Sequence, residues 1–282
     1  DMTSLQGVMG RDYALQSGEP DEVAQAIFEH YLPRSAGDTL PKSKAGLAVG
    51  LADRLDSLAG LFAAGLAPTG NKDPFAQRRA ALGLVGNLMA WNLSLDLGEV
   101  LKLAADNLPI PVSDESQEQS LTFVIERLRN VLLDTGTRYD VVDAVIAEQG
   151  HNPARANQAA KELSQWVAQE EWEVMLQAYA RCVRITRDQV SGLQYRAMSE
   201  INPAEGALFT AVEKVEAMER TPGSVDDFFH AFVTMIPEIT QFFDDVLVMD
   251  ENENVKNNRL ALLQRIALLA DGVADLSALE GF

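Results

Sequence analysis

The sequence predicts an all-α protein. Apolar residues recur at steps of three and four, residue pairs that open helices punctuate the chain, and no run alternates with the period of two of a half-buried strand. The clearest series lies in 44–64, where Leu47, Leu51, Leu55, Leu58 and Phe62 share one helical face. Before it, 22–31 sets Val23, Ala26, Ile27 and Tyr31 on one side. Asp73-Pro74 reads as a helix start, a capping carboxylate followed by proline at the first helical position. The helix it opens would bury Leu82, Val85 and Met89. Gly83, Gly86 and Ala90 would form a second, smoother face for a close neighbour. Two prolines and a polar, acidic run make 107–120 the linker candidate. Helical pattern resumes over 121–133 and 139–147. Asn152-Pro153 opens another helix, 170–185 holds one more, and Asn202-Pro203 starts a segment to 218. Thr221-Pro222-Gly223 breaks the chain, and Ser224 caps an apolar helical segment through Phe228-Phe229 and Phe242-Phe243. A last helix spans 257–270. No repeat of fixed period is visible.

Composition bounds the function. A chain of 282 residues with 47% hydrophobic content can build one large or two to three small cores, which excludes a disordered class. Its 23 basic against 42 acidic residues give a net charge of −19. A non-specific nucleic-acid binder needs a broad basic surface, so that class is disfavoured, whereas a specific RNA binder with local basic patches is not. Cys182 stands alone, which excludes an internal disulfide or a cysteine-based zinc site and suits a reducing compartment. The longest uncharged run, 80–95, contains Asn87 and Asn92 and is too short and polar for a membrane span. No signal peptide is visible, and the opening Asp1-Met2 reads as the start of a fragment.

The segment 65–79, GLAPTGNKDPFAQRR, comes close to a phosphate-binding loop. Such a loop needs lysine directly after its last glycine, then a hydroxyl for magnesium, all after a strand. Here Asn71 takes the lysine place, Asp73 stands near the hydroxyl place, and a helix precedes, so a nucleotide loop is excluded on chemistry. Two readings remain. Lys72, Arg78 and Arg79, with Arg54 from the preceding helix, can grip a phosphate backbone near a helix start. Alternatively the arginines pair with Asp53, Asp56 or Asp73 and staple two helices. His30, His151 and His230 form no metal-binding or nucleophile-activating pattern, so no catalytic or metal residue is assigned. Near the C-terminus the phenylalanine pairs and Lys256, Asn257, Asn258 and Arg259 offer stacking and base-edge donors suited to a single-stranded RNA loop. The competing reading is a packed helical core followed by a capped polar turn.

Several blocks carry a family resemblance: LQGVMGRDYA, AIFEHYLPRSAGDTLP, GLADRLDSLAGLFAAGLAPTGNKDPFAQRRAALG and FFDDVLVMDENENVKNNRLALL. In this order they resemble the C-terminal half of the β subunit of bacterial glycyl-tRNA synthetase. The resemblance implies an HD-like helical domain over 1–116, a helical connector over 117–175, and a DALR-type anticodon-binding domain over 176–282, opened by AYARCVRITRD. The HD superfamily needs a His…His-Asp…Asp set; no His-Asp dipeptide occurs, so the first domain is expected to be non-catalytic. The family has a few more residues between Met2 and Thr3 and after Asp188.

The resemblance further implies glycine tRNA and the synthetase α subunit, separate or fused, as partners, a cytoplasmic location, and no membrane or DNA. It implies no cofactor in this chain; ATP and magnesium belong to the α-subunit active site, where glycine is joined to its tRNA. Expected backbone contacts toward the acceptor side are Arg54, Lys72, Arg78 and Arg79; expected anticodon-side contacts are Arg184, Arg187, Lys256, Asn258 and Arg259. Two alternatives are a metal-dependent phosphohydrolase of the HD type and an acidic helical scaffold for other proteins.

Overall fold

A computed structural model of the chain describes residues 5–35, 37–196 and 202–282. The family's extra residues between Met2 and Thr3 fall outside them. Thirteen α-helices are present among the described residues, and the all-α expectation holds. They are α1 (Val8–Gln16), α2 (Asp21–Glu29), α3 (Lys44–Ala63), α4 (Gln77–Ala90), α5 (Leu97–Asp106), α6 (Asp114–Asp134), α7 (Tyr139–Gln149), α8 (Pro153–Val167), α9 (Trp172–Thr186), α10 (Pro203–Glu216), α11 (Val225–Val233), α12 (Ile236–Asp245) and α13 (Glu253–Leu268). None of the described helices is long and apolar enough to cross a membrane.

The chain divides into two units. One comprises 1–135 with 150–157, the other 136–149 with 158–282. The stretch 117–175 is therefore shared: α6 belongs to the first unit, α7 to the second, and α8 begins in the first and continues in the second.

The first unit is built around α3, which packs against α2, α4, α5 and α6. Ser43 caps α3 by accepting from the Gly46 N–H, and Leu47, Leu51, Leu58 and Phe62 are buried along it. On α4 the buried face is Ala81, Leu84, Val85 and Leu88, with Leu82 exposed. The expected face was one position off, because 81, 84, 85 and 88 keep the same helical spacing. On α2, likewise, Ala24 and Glu29 are buried and Val23 is exposed. The linker candidate shrinks to a short loop: Ser113 caps α6, and Asp114 and Glu115 occupy its first turn, where acidic side chains favour the helix dipole. The polar run that looked like a linker is thus largely helix, packed on α3, α4 and α5.

Glu29 ties α2 to α3. Its carboxylate accepts from the Ser43 N–H at 2.8 Å, from Ser43 Oγ at 2.5 Å and from Gln25 Nε2 at 2.8 Å. Burial alone would raise its pKa, but hydrogen bonds from Ser43 and Gln25 outweigh it and hold the carboxyl below the ordinary value of 4.5. A depressed carboxyl adds stability above its unfolded pKa and loses it as pH falls through the folded value. Glu29→Gln is expected to flatten the acid limb of the unit's stability between about pH 5 and pH 3. Thermal melts across that range check this; an acid limb identical to the parent's contradicts it.

In the second unit α9 packs against α13 and α12, and α10 against α12 and α13. The segment after Ser224 is two helices rather than one. α11 ends at Val233, Met235 is buried at the break, and Pro237 stands in the first turn of α12, a position proline tolerates because its missing N–H has no helical partner there. Phe228, Phe229, Phe232 and Phe242 are fully buried, and Trp166 stacks on Phe229 with ring centroids 5.1 Å apart. The phenylalanine pairs therefore contribute to the core, and Phe228, Phe229 and Phe242 offer no stacking surface.

Candidate nucleic-acid interface

After α3 the chain turns at Gly65 and Gly70, both at positive φ (71° and 51°). Thr69 and Lys72 pair across a tight turn: the Lys72 N–H donates to the Thr69 carbonyl at 2.9 Å, and the Thr69 N–H to the Lys72 carbonyl at 3.2 Å. Asp73 then closes the N-terminus of α4, accepting from the Gln77 N–H at 2.8 Å and the Arg78 N–H at 2.9 Å. The helix starts at Gln77 rather than at Pro74, because Ala76 takes a left-handed conformation at φ 55°. Asp73 still acts as a cap, from four residues ahead of the observed start. Its negative charge occupies the place where an anion would sit, so any grip on phosphate falls to side chains.

Those side chains divide. Arg78 folds back, donating from Nη2 to the Gly70 carbonyl, with Nη1 3.9 Å from Asp73 Oδ2. It holds the turn and is half-buried. Lys72 and Arg79 are exposed. Between them Phe75 is 51% exposed, a large aromatic in a polar loop. Phe75 was not among the sequence candidates; its placement between Lys72 and Arg78 was the available signal.

Arg54 does not join them. It is 5% exposed, and its guanidinium donates to four backbone carbonyls: His30 at 2.8 Å, Gly50 at 2.7 Å, Tyr31 at 3.2 Å and Leu32 at 2.8 Å. Burial lowers its pKa, partly offset by Asp53. A guanidinium so enclosed has no face left for phosphate, which corrects the backbone-contact expectation. It also differs from the staple expectation, since it binds carbonyls and makes no ion pair within 4 Å among the described residues. Gly50 and Gly83 make the space: a Cβ at 83 would lie 2.6 Å from Arg54 Nε, and one at 50 would lie 2.8 Å from the His30 carbonyl.

The C-terminal candidates divide in the same way. Asn258 is 4% exposed; its Nδ2 donates to Glu205 Oε1 at 3.2 Å, and its Oδ1 accepts from the Arg196 N–H at 2.6 Å. Arg259 donates from Nε to Glu205 Oε2 at 3.1 Å, and from Nη1 to the Leu247 carbonyl at 2.8 Å and Asp250 Oδ2 at 2.9 Å. Glu205 is itself 2% exposed. Asn258 and Arg259 thus lock α13 to α10, which corrects their assignment as base-edge donors. Lys256 lies half-buried, 2.6 Å from Glu253 Oε1, a surface pair of small energetic value.

Arg184 in the last turn of α9 and Arg187 just after the helix are exposed, their guanidinium carbons 5.5 and 6.0 Å from the centroid of Phe282. Arg181 continues the row one turn back, also exposed, 4.3 Å from the ring of Phe243. Steps of three put the three cations on one face. Cations there also favour the helix C-terminus, so a dipole role accounts for part of the pattern. Arg181 was missed, although its spacing from Arg184 was readable in the sequence.

Comparison with known proteins shows the family. A sequence model of the glycyl-tRNA synthetase beta subunit matches residues 1–147, and one of the DALR anticodon binding domain matches 175–276. The chain is 39% identical over 281 residues to a glycine–tRNA ligase beta subunit of Clostridioides difficile, covering 97% of this chain and 40% of that protein. It is 40% identical over 285 residues to the corresponding subunit of Aromatoleum aromaticum, covering 98% and 40%. It is 38% identical over 284 residues to a glycine–tRNA ligase of Arabidopsis thaliana named as chloroplastic/mitochondrial, covering 100% of this chain and 27% of that protein. The second unit thus carries a helical domain of the DALR anticodon-binding class. The chain as a whole belongs to the glycyl-tRNA synthetase beta subunit family. It spans about two fifths of the length of the bacterial relatives.

Proposed function

We propose that this chain is a tRNA-gripping part of a glycine–tRNA ligase. One observation carries the reading: in a protein of net charge −19, exposed cations lie near one another in sequence at Lys72 and Arg79 in one unit and at Arg181, Arg184 and Arg187 in the other. Long-range repulsion from so acidic a surface would weaken RNA binding unless local patches oppose it. Lys72 and Arg79, with Arg78 holding the turn, are assigned to the phosphate backbone toward the acceptor side. The α9 arginines are assigned to the anticodon side, in keeping with the name of the domain that matches there.

In this reading 1–116 is an HD-like domain that serves as a scaffold, 117–175 a connector and 176–282 the anticodon-binding domain. Bond-making with ATP, magnesium and glycine takes place on an α subunit, separate or fused, in the cytoplasm. A phosphohydrolase reading is not supported, since no His-Asp dipeptide is present. Nor does any specific observation favour the protein-only scaffold.

The test is the salt dependence of glycine tRNA binding. Lys72→Ala with Arg79→Ala is expected to weaken binding and to make the slope of log K against log salt shallower by about 1 to 2. An unchanged slope contradicts the assignment of these two side chains.

A further inference from the structure

We infer that Phe75 is a stacking platform for an unpaired RNA base, with Lys72 and Arg79 on the phosphates beside it. The inference rests on the tRNA-binding reading and deepens it, by naming single-stranded rather than duplex RNA as what this loop meets.

The observations concern how the loop is built. Phe75, 51% exposed just ahead of α4, adds little to the core of its own unit. Yet the backbone around it is tied at three points: the Thr69–Lys72 pair, the Asp73 carboxylate on the N–H groups of Gln77 and Arg78, and the Arg78 guanidinium on the Gly70 carbonyl. Directly after Phe75, Ala76 is held in a left-handed conformation, which costs about 1 kcal/mol for a residue with a Cβ. Strain of that kind persists where the surrounding contacts over-determine it. Here those contacts hold the segment that presents Phe75 to solvent. A ring carried on a tied backbone has less freedom to lose on binding, which suits a stacking surface.

The neighbours select the occupant. In sequence Phe75 lies between two exposed cations, Lys72 three residues before it and Arg79 four after, in a strongly acidic chain. A ring flanked by cations is the combination that binds single-stranded nucleic acid: the π-face takes a base without regard to its identity, and the cations take the backbone. A duplex offers no unstacked base to the ring. A protein surface that covered Phe75 would also have to satisfy Lys72 and Arg79, and nothing among the described residues favours that arrangement.

The test uses this chain and a glycine tRNA transcript in binding titrations at two salt concentrations. Phe75→Ala is expected to weaken binding about ten-fold while leaving the salt slope at the parent's value, because stacking displaces no counterions. Phe75→Trp is expected to restore binding and Phe75→Leu is not, since leucine is apolar but has no π-face. Phe75 is exposed, so these variants are expected to fold, and the parent's melting temperature checks it. Parent-like binding by Phe75→Ala overturns the inference, as does full rescue by Phe75→Leu, which would point to apolar packing against a protein. Neither of those results touches the wider reading. If the parent chain itself fails to bind the tRNA while folded, the wider reading fails and the inference with it.

Discussion

Arg54→Ala is expected to destabilise the first unit by about 3 to 5 kcal/mol, the cost of breaking a buried charged network. The side chain is the donor for four carbonyls, three of them consecutive just past the end of α2. Without it His30, Tyr31 and Leu32 lose their hold on α3; Leu32 keeps the bond from Asn87 Nδ2 at 3.1 Å. Each buried carbonyl left without a donor costs about 1 to 3 kcal/mol before relaxation. Arg54→Lys is expected to recover only part of the loss, because an ammonium has three donors and no planar fork. The network also makes a coupling prediction. Gly83→Ala should be strongly destabilising in the parent, where its Cβ would press on Arg54 Nε, and nearly neutral or mildly stabilising once Arg54 is alanine. Urea unfolding of the two single variants and the double variant measures this. Additive effects, or a loss below about 1 kcal/mol for Arg54→Ala, contradict the structural role and return Arg54 to the candidate phosphate contacts.

A comparable loss, about 3 to 5 kcal/mol, is expected for Arg259→Ala in the second unit. That substitution leaves the Glu205 carboxylate buried with only the Asn258 amide against it among the described contacts, and removes the donor to the Leu247 carbonyl. Replacing Glu205 by glutamine together with Arg259→Met is expected to be less damaging than Arg259→Ala alone, since the stranded charge is gone. The same substitution separates structure from recognition. If Arg259 only locks α13 to α10, tRNA affinity per folded molecule stays at the parent's level while the melting temperature falls. A normal melting temperature with lost affinity would instead restore Arg259 as an RNA contact.

Both residues show what the sequence could and could not disclose. Helical spacing exposed most elements, because burial of one face is written into the order of the residues: Leu47, Leu51, Leu58 and Phe62 lie buried as spaced. Caps were legible for a similar reason. Asn202, Ser224 and Asp73 each accept from nearby backbone N–H groups, a bond made within a few residues of the capping side chain. Which cations were free was not legible. Arg54 and Arg79 are the same residue type in neighbouring helices, but Arg54 is held by contacts 22 to 24 residues distant while helix-tip Arg79 stays exposed. Asn258 and Arg259 likewise meet Glu205 more than 50 residues away, a pairing that no local pattern carries. The break at Met235 was hidden because the apolar run continues through it, and the run 107–120 misled because acidic residues at a helix start resemble those of a linker. Phe75 and Arg181 could have been found, the first as an aromatic among cations and the second by its step of three from Arg184.

The proposal to be tested is that the chain grips glycine tRNA through two sets of exposed cations, one in each unit, the second of them toward the anticodon. The most direct measurement is a competition titration of the chain with glycine tRNA against the same tRNA carrying a changed anticodon, at two salt concentrations. The account predicts binding that weakens with salt and a preference for the unaltered anticodon, with the preference reduced by Arg184→Ala and Arg187→Ala. Equal affinity for both tRNAs at either salt concentration would contradict the anticodon assignment, and the absence of salt-dependent binding would contradict the claim as a whole.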